Sequence, residues 1–544
     1  MIPSSRRDFL VDVGRGMLVA GLGTTVAGNL GFSTAFADRG PESLKLGPYE
    51  SLVELIRSTP PEKLQPILVA KLKSGEVNNK QLISAAALAN AEAFGGQDYV
   101  GYHTAMAMLP ALEMTTLLPA ERQSLPILKV IYRNSQQCQE HGGASKATLV
   151  ALHAAEHSAE GDIGLKIREA CRQGSMDTAE QLFAPLANAS PQDAFNALQP
   201  AVQDDINVHR FVFAHRTYGL VGLLGKEYAH TLLRQSVRQM VDFELEHKRH
   251  NHPDNPIRAL LPQLLDQYKL VGMTPGKTDP GDRAVDDLAR AVYDGPPARS
   301  ADAVAAALAD GIDPEVVGEA ISLASNMLVL RQGADRWRTH GDSAGVHSSD
   351  ATNAFRNMAR NTDTKHAVSG LIVAAYHSAS HAPFTSESYP LDEHRAAIKA
   401  TDAAGLLAEC EDAVKVNDQG RAAAAIQIYG EKNFPVQAVF QTLIKYTISE
   451  DGRLHGEKYF HTVGEEYRTT RSASAADYGA RTRHRQFVWL QPKGRAWFSR
   501  GWLRRCLQPA GYPDVSPWVQ SENRRATTST QTRRRGANDA PDAG

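Results

Sequence analysis

The chain has 544 residues, a net charge of −2 and 42% hydrophobic residues, a balance that gives no global preference for nucleic acid or an anionic surface. Its four cysteines (Cys138, Cys171, Cys410, Cys506) are too few for a disulfide scaffold. None belongs to a CxxC pair, which argues against a cysteine zinc site and against thioredoxin-type chemistry.

The first element is a leader. Ser5-Arg6-Arg7-Asp8-Phe9-Leu10 sets paired arginines ahead of a Phe-Leu step, a weakly apolar stretch from Met17 to Phe32 follows, and Ala35-Phe36-Ala37 supplies a small-x-small cleavage site. Residues 1–37 resemble a twin-arginine signal peptide. The resemblance implies export by the twin-arginine translocase, cleavage after Ala37, and a mature protein in the periplasm or secreted. Because that route is known for moving folded proteins, it also favours a cofactor inserted before export. The apolar stretch is too short and too rich in Gly and Thr to span a bilayer. No later run is long enough either, so no stable membrane anchor is expected.

About 500 residues follow the leader, enough for two or three sizeable cores. Pro66–Lys73, Lys80–Glu92, Ser145–His157, Arg216–Phe243 and Ala301–Leu330 are rich in Ala, Leu, Glu and Gln, with apolar residues every three or four positions. Asp313-Pro314 marks a helix start, and Gly75 and Gly311 mark helix ends. Alternating strand patterns are scarce, so the predicted fold class is all-α.

The helical pattern occurs twice. Leu72-Lys73-Ser74-Gly75 matches Leu308-Ala309-Asp310-Gly311, and LISAAALA from Leu82 matches VGEAISLA from Val317. Gly101-Tyr102-His103-Thr104 matches Gly345-Val346-His347-Ser348, a register that runs without a gap to Tyr132 and Tyr376. Cys171 pairs with Cys410, and His209-x5-His215 pairs with His455-x5-His461. A period of about 240 residues predicts two similar lobes related by a pseudo-twofold axis, not a solenoid of short repeats. The expected organisation is lobe 1 over 38–270, a turn-rich linker over 271–285, lobe 2 over 286–475, and a basic, Trp-rich extension and tail over 476–544. The tail mixes arginines with four of the five tryptophans but carries no recognition motif, so no nucleic-acid partner is expected.

The histidines carry the candidate chemistry. Neutral imidazole is the commonest transition-metal ligand and also an acid or base near neutral pH. His103, His209 and His215 in one lobe correspond to His347, His455 and His461 in the other, and either each trio forms a site or the two sets meet between the lobes and share one cofactor. His209 and His215 are six residues apart, about 120° from overlap on one helix, so a shared site needs a further element.

His153-Ala154-Ala155-Glu156-His157 is an HxxEH sequence whose histidines stack one turn apart on a helix, with Glu156 placed as a general base. It resembles the inverted zinc motif of pitrilysin-type peptidases, but the acidic third ligand that family requires has no clear match. His377 and His381 form an HxxxH pair where the first lobe has Arg133 and Gln137. The stretch from His366 through Gly370 to Tyr376 resembles the His-rich helices of questin oxidase-like proteins, helical oxygenases of aromatic polyketides, which implies oxidoreductase chemistry and no specific residue roles.

No P-loop, GxGxxG, GxSxG or CxxCH is present. With the histidines as ligands and the chemistry that the questin oxidase-like resemblance implies, the expected function is a His-liganded oxidoreductase that uses iron, zinc, copper, manganese or non-covalent haem and acts on a small molecule. Glu156, Tyr132 and Tyr376 are the candidate proton donors or orienting groups. The competing functions are a non-catalytic helical scaffold and a zinc hydrolase built on HxxEH.

Overall fold

Ala- and Leu-rich runs, broken by Pro, Gly and short polar residues, fold as helices capped by those same breakers. The structure, a computed structural model, describes residues 43–152, 161–333, 344–449 and 454–470. The leader, the HxxEH residues His153, Glu156 and His157, and the extension over 476–544 lie outside the described residues. Among the described residues, 21 α-helices and one short antiparallel pair, β1 (Arg331–Gly333) with β2 (Thr385–Ser388), confirm the all-α class.

A first series runs α1 (Glu50–Ser58), α2 (Pro61–Ser74), α3 (Asn79–Phe94), α4 (Tyr99–Met114), α5 (Leu125–Glu140), α6 (Ile163–Gln173), α7 (Met176–Phe183), α8 (Pro191–Val202) and α9 (Val208–Leu224). Two bridging helices follow, α10 (Ala229–Arg249) and α11 (Ile257–Gln267). A second series comprises α12 (Asp282–Asp294), α13 (Pro297–Ala309), α14 (Pro314–Val329), α15 (Ala344–Asn361) and α16 (Thr364–His381). It continues through α17 (Leu391–Ala397), α18 (Ala403–Lys415), α19 (Gln419–Glu431), α20 (Val436–Thr447) and α21 (His455–Thr469).

Short polar residues set many of the starts. Asn78 and Gln81 form a capping box at α3, while Asp98, Ser190, Asn207, Asp363 and Asp402 each accept a first-turn backbone N–H at α4, α8, α9, α16 and α18. Such caps contribute about 1 kcal/mol each.

The predicted helix over Arg216–Phe243 is two helices. It breaks at Gly225, whose φ of 116° only glycine adopts readily, and a short 3-10 turn over Lys226–Tyr228 leads into α10. The predicted helix over Ser145–His157 is corrected along its described part, 145–152. There the backbone is strapped to α3: Thr148 and Leu149 donate N–H bonds to the Glu92 carbonyl, and Arg57 and Arg234 hold the Lys146 and Val150 carbonyls. Tertiary partners have displaced the helical ladder, with β-branched Thr148 and Val150 weakening it.

The helices pack crosswise. Within the first series α3 lies against α1, α4 and α5; within the second, α14 lies against α12, α15 and α16. The last helix of each series then crosses to the opposite one: α9 packs on α15, and α21 packs on α4. One buried core therefore draws on both series, with Phe211 of α9 against Phe355 of α15 at 4.5 Å between ring centroids.

A buried ion pair ties the same crossing. Lys129 of α5 reaches Glu457 of α21 at 2.7 Å and donates to the carbonyls of Thr447 (3.1 Å) and Ser449 (2.8 Å). Opposite it, Gln203 donates to the His366 carbonyl of α16 at 2.8 Å.

Candidate functional site

Four of the six histidines that recur in order along the sequence meet where α4, α9, α15 and α21 converge. Their ring centroids form a closed circuit: His103–His209 4.7 Å, His209–His347 6.2 Å, His347–His455 6.0 Å and His455–His103 5.2 Å. Successive rings are tilted by 61°, 64°, 64° and 61°. His103 and His347 are buried, whereas His209 and His455, on the first turns of their helices, are partly exposed.

Glycines two residues upstream bring the first pair in. A Cβ on Gly101 would stand 2.6 Å from the Phe94 ring, and one on Gly345 would stand 2.4 Å from the Val329 backbone nitrogen. Only glycine permits α3 and α4, and likewise α14 and α15, to approach that closely.

Hydrogen bonds fix the tautomers of the tightest pair. Nδ1 of His103 lies 2.7 Å from the Tyr99 carbonyl, so it carries the proton and donates. Nδ1 of His209 lies 3.2 Å from Oδ1 of Asn207. The His209 backbone N–H also donates to that atom at 3.0 Å, which identifies it as the amide oxygen. His209 is therefore also protonated on Nδ1. In both neutral rings Nε2 then carries a lone pair, and the two Nε2 atoms face each other at 3.1 Å. Two opposed lone pairs repel unless a proton or a cation lies between them. Nδ1 protons held by a carbonyl or amide oxygen, with Nε2 presented, are the outer-shell arrangement of metal-binding histidines.

The surroundings oppose a proton as the solution. Burial, followed by the Lys458 charge, depresses both rings: His103 well below its ordinary value and His209 to about 3. Lys458, one turn beyond His455, is itself buried, as is Asp350, one turn beyond His347. Tyr99 and Tyr102 line the outer side, with Tyr99 4.3 Å and Tyr102 4.9 Å from the His103 ring. Burial pushes the Tyr102 phenol well up, so it remains protonated. Tyr99 is 61% exposed and forms the rim.

The remaining predicted residues fall elsewhere. His215 and His461, further along α9 and α21, face a separate charged layer. Nδ1 of His461 is 2.6 Å from Oε2 of Glu113, and its Nε2 is 3.5 Å from Oε2 of Glu465. Burial pushes the Glu465 carboxyl up, but His461, His215 and the Asn353 amide outweigh it and hold that carboxyl far below its usual range. Burial lowers His215 to about 3. His377 and His381 lie on α16, their rings 4.3 Å apart. Tyr132 donates its hydroxyl to Glu62 of α2 at 3.0 Å, and Tyr376 is buried, which raises its phenol.

Among the described residues, no three His, Cys, Asp or Glu side chains are arranged to enclose a metal ion as they stand. The circuit is a tight pair, His103 and His209, with His347 and His455 one ring further out. Asn207, Lys458, Asp350 and the positioning roles of the two glycines were not identified from sequence. The repeated Gly-x-His was visible there, but its meaning depends on which helix backbone lies opposite.

Compared with family models, curated proteins and solved structures, the chain matches none.

Proposed function

We propose that the protein is an exported metalloprotein. In it, His103, His209, His347 and His455 hold one first-row transition-metal ion between two duplicated helical lobes, and the ion serves oxidation–reduction of a small molecule. The observation that carries this proposal is the pair of opposed Nε2 lone pairs at 3.1 Å. Two imidazoles bound to one tetrahedral ion at 2.0–2.1 Å have nitrogens about 3.3 Å apart, so His103 and His209 fit as they stand. His347 and His455, one ring further out in the circuit, would complete the ligand set.

An all-imidazole set suits iron, copper or zinc better than an oxygen-seeking cation. Haem held between His103 and His209 fits poorly, because their Nε2 atoms are in direct contact and a macrocycle would have to separate them. Redox chemistry is favoured by Tyr99 and Tyr102, which place aromatic rings between the surface and the first ligand. When bound, the ion supplies Lewis acidity or electron transfer. The chain's own groups orient the ligands through Tyr99 and Asn207, and Lys458 adds positive charge that favours an anionic or electron-rich partner.

Duplication is supported by the equivalent neighbours of α3 and α14 and by the reciprocal crossings of α9 and α21. Export rests on the twin-arginine leader.

The absence of a preformed three-donor set among the described residues favours the competing scaffold function, in which the circuit is only structural. Elemental analysis and an absorption spectrum of mature protein from its own host separate the two. One equivalent of metal, lost in His103→Ala/His209→Ala, supports the metalloprotein. Metal-free protein that also fails to bind added copper or zinc supports the scaffold.

A further inference from the structure

One histidine outside the circuit is anomalous. The side chain of His377 is fully buried, and neither of its ring nitrogens has a hydrogen-bond partner among the described residues. An orphaned buried polar atom costs about 1–3 kcal/mol, and two on one ring call for a ligand. The position is not shared by the first series, where Arg133 occupies the matching place, so the buried imidazole belongs to the second series alone.

Its neighbour repeats a device already seen at the circuit. Nδ1 of His381 lies 2.9 Å from the His377 carbonyl one turn back, just as Nδ1 of His103 lies 2.7 Å from Tyr99. His381 is thereby protonated on Nδ1 and presents a lone pair on Nε2. The His377 and His381 rings are 4.3 Å apart, close to the 4.7 Å of His103 and His209. A neutral His377 also has one unprotonated nitrogen, so each of these neighbouring rings carries a lone pair, and the Phe211 ring lies 5.4 Å from His377.

We infer that His377 and His381 form a second transition-metal site on α16, separate from the four-histidine circuit. Two neutral imidazoles one turn apart grip zinc, copper, iron or nickel and leave further positions for water or substrate. They supply no oxygen donors for calcium or magnesium. Ser348 and Ser378, each one residue beyond His347 and His377, are hydrogen-bonded through their hydroxyls at 3.0 Å, so the two sites are neighbours.

The test uses the full mature chain loaded with zinc. Its crystals should show an anomalous-scattering peak about 2.0–2.1 Å from a ring nitrogen of His377. His377→Gln/His381→Gln should bind one zinc fewer than wild type, while His103→Gln/His209→Gln should keep the peak at His377. An ordered water at that place, no peak at saturating zinc, or an unchanged zinc content in the His377/His381 variant each overturns the second site. The wild-type map is decisive even if the variant does not fold. A peak at His377 alone would sink the circuit and leave this site standing.

Discussion

Replacing Lys129 by Met should be among the most damaging single changes in the core. The Lys129 and Glu457 side chains are 1% and 0% exposed and 2.7 Å apart, so removing the ammonium takes the cation of this ion pair away from a buried carboxylate. Breaking such a pair costs about 3–5 kcal/mol. The carbonyls of Thr447 and Ser449 lose their charged donor at the same time, which places the total at the upper end of that range. Against a native stability of roughly 5–15 kcal/mol, Lys129→Met should lower the urea midpoint severely, followed by far-ultraviolet circular dichroism. Lys129→Met combined with Glu457→Leu removes both charges while keeping apolar volume, and should recover most of the loss. The contrast between the single and double variants is the measurement. A single variant within about 1 kcal/mol of wild type, or a double variant no better than the single, would refute a charged, buried pair. Because Glu457 is two residues from His455, the single variant should also weaken metal binding.

Acid should destabilise the metal-free protein. Burial lowers His215 to about 3 and His230 to about 4, while the unfolded chain titrates near 6.5. Between these values the unfolded state holds more protons, so stability is full above about pH 6.5 and falls as pH drops through 6.5 toward 3. A melting temperature that stays level from pH 7 to 4 would count against buried neutral histidines, and His215→Gln/His230→Gln should flatten the slope. Asn207→Ala should cost about 1 kcal/mol as a lost cap and weaken copper or zinc binding by about 10–100-fold through the freed His209 ring; unchanged affinity in calorimetric titration would remove Asn207 from the site. Gly345→Ala drives a Cβ toward the Val329 backbone at 2.4 Å, whereas Gly101→Ala meets the Phe94 ring at 2.6 Å. The first should destabilise by more than about 2 kcal/mol and the second by less, and a reversed order in denaturant melts would contradict the close approach of α14 and α15.

Periodicity and caps made the helices legible, because those signals are local. The paired histidines were legible too, since His103/His347 and His209/His455 recur in order. The grouping of three was not what formed. Six residues turn a helix about 120° from overlap, and His215 and His461 accordingly face Glu113 and Glu465 while the other four meet. Which helices cross could not be read, because α4 touches α21 across more than 340 residues of sequence. The role of Asn207 was hidden for a different reason: an Asn before a helix signals a cap, and its second duty toward a ring nitrogen depends on that ring's rotamer. The stretch over 145–152 has helical composition, yet Arg57, Arg234 and the end of α3 claim its backbone groups.

The reciprocal crossing of α9 and α21 also bears on synthesis. His103 is synthesised early and His455 more than 340 residues later, so the circuit cannot close until α21 has been made. Contacts of such long sequence separation form slowly, and α4 must wait with part of its apolar surface uncovered until α21 arrives. Loading of the proposed metal would thereby wait for α21, and a chain interrupted before α21 lacks both the fourth imidazole and Glu457.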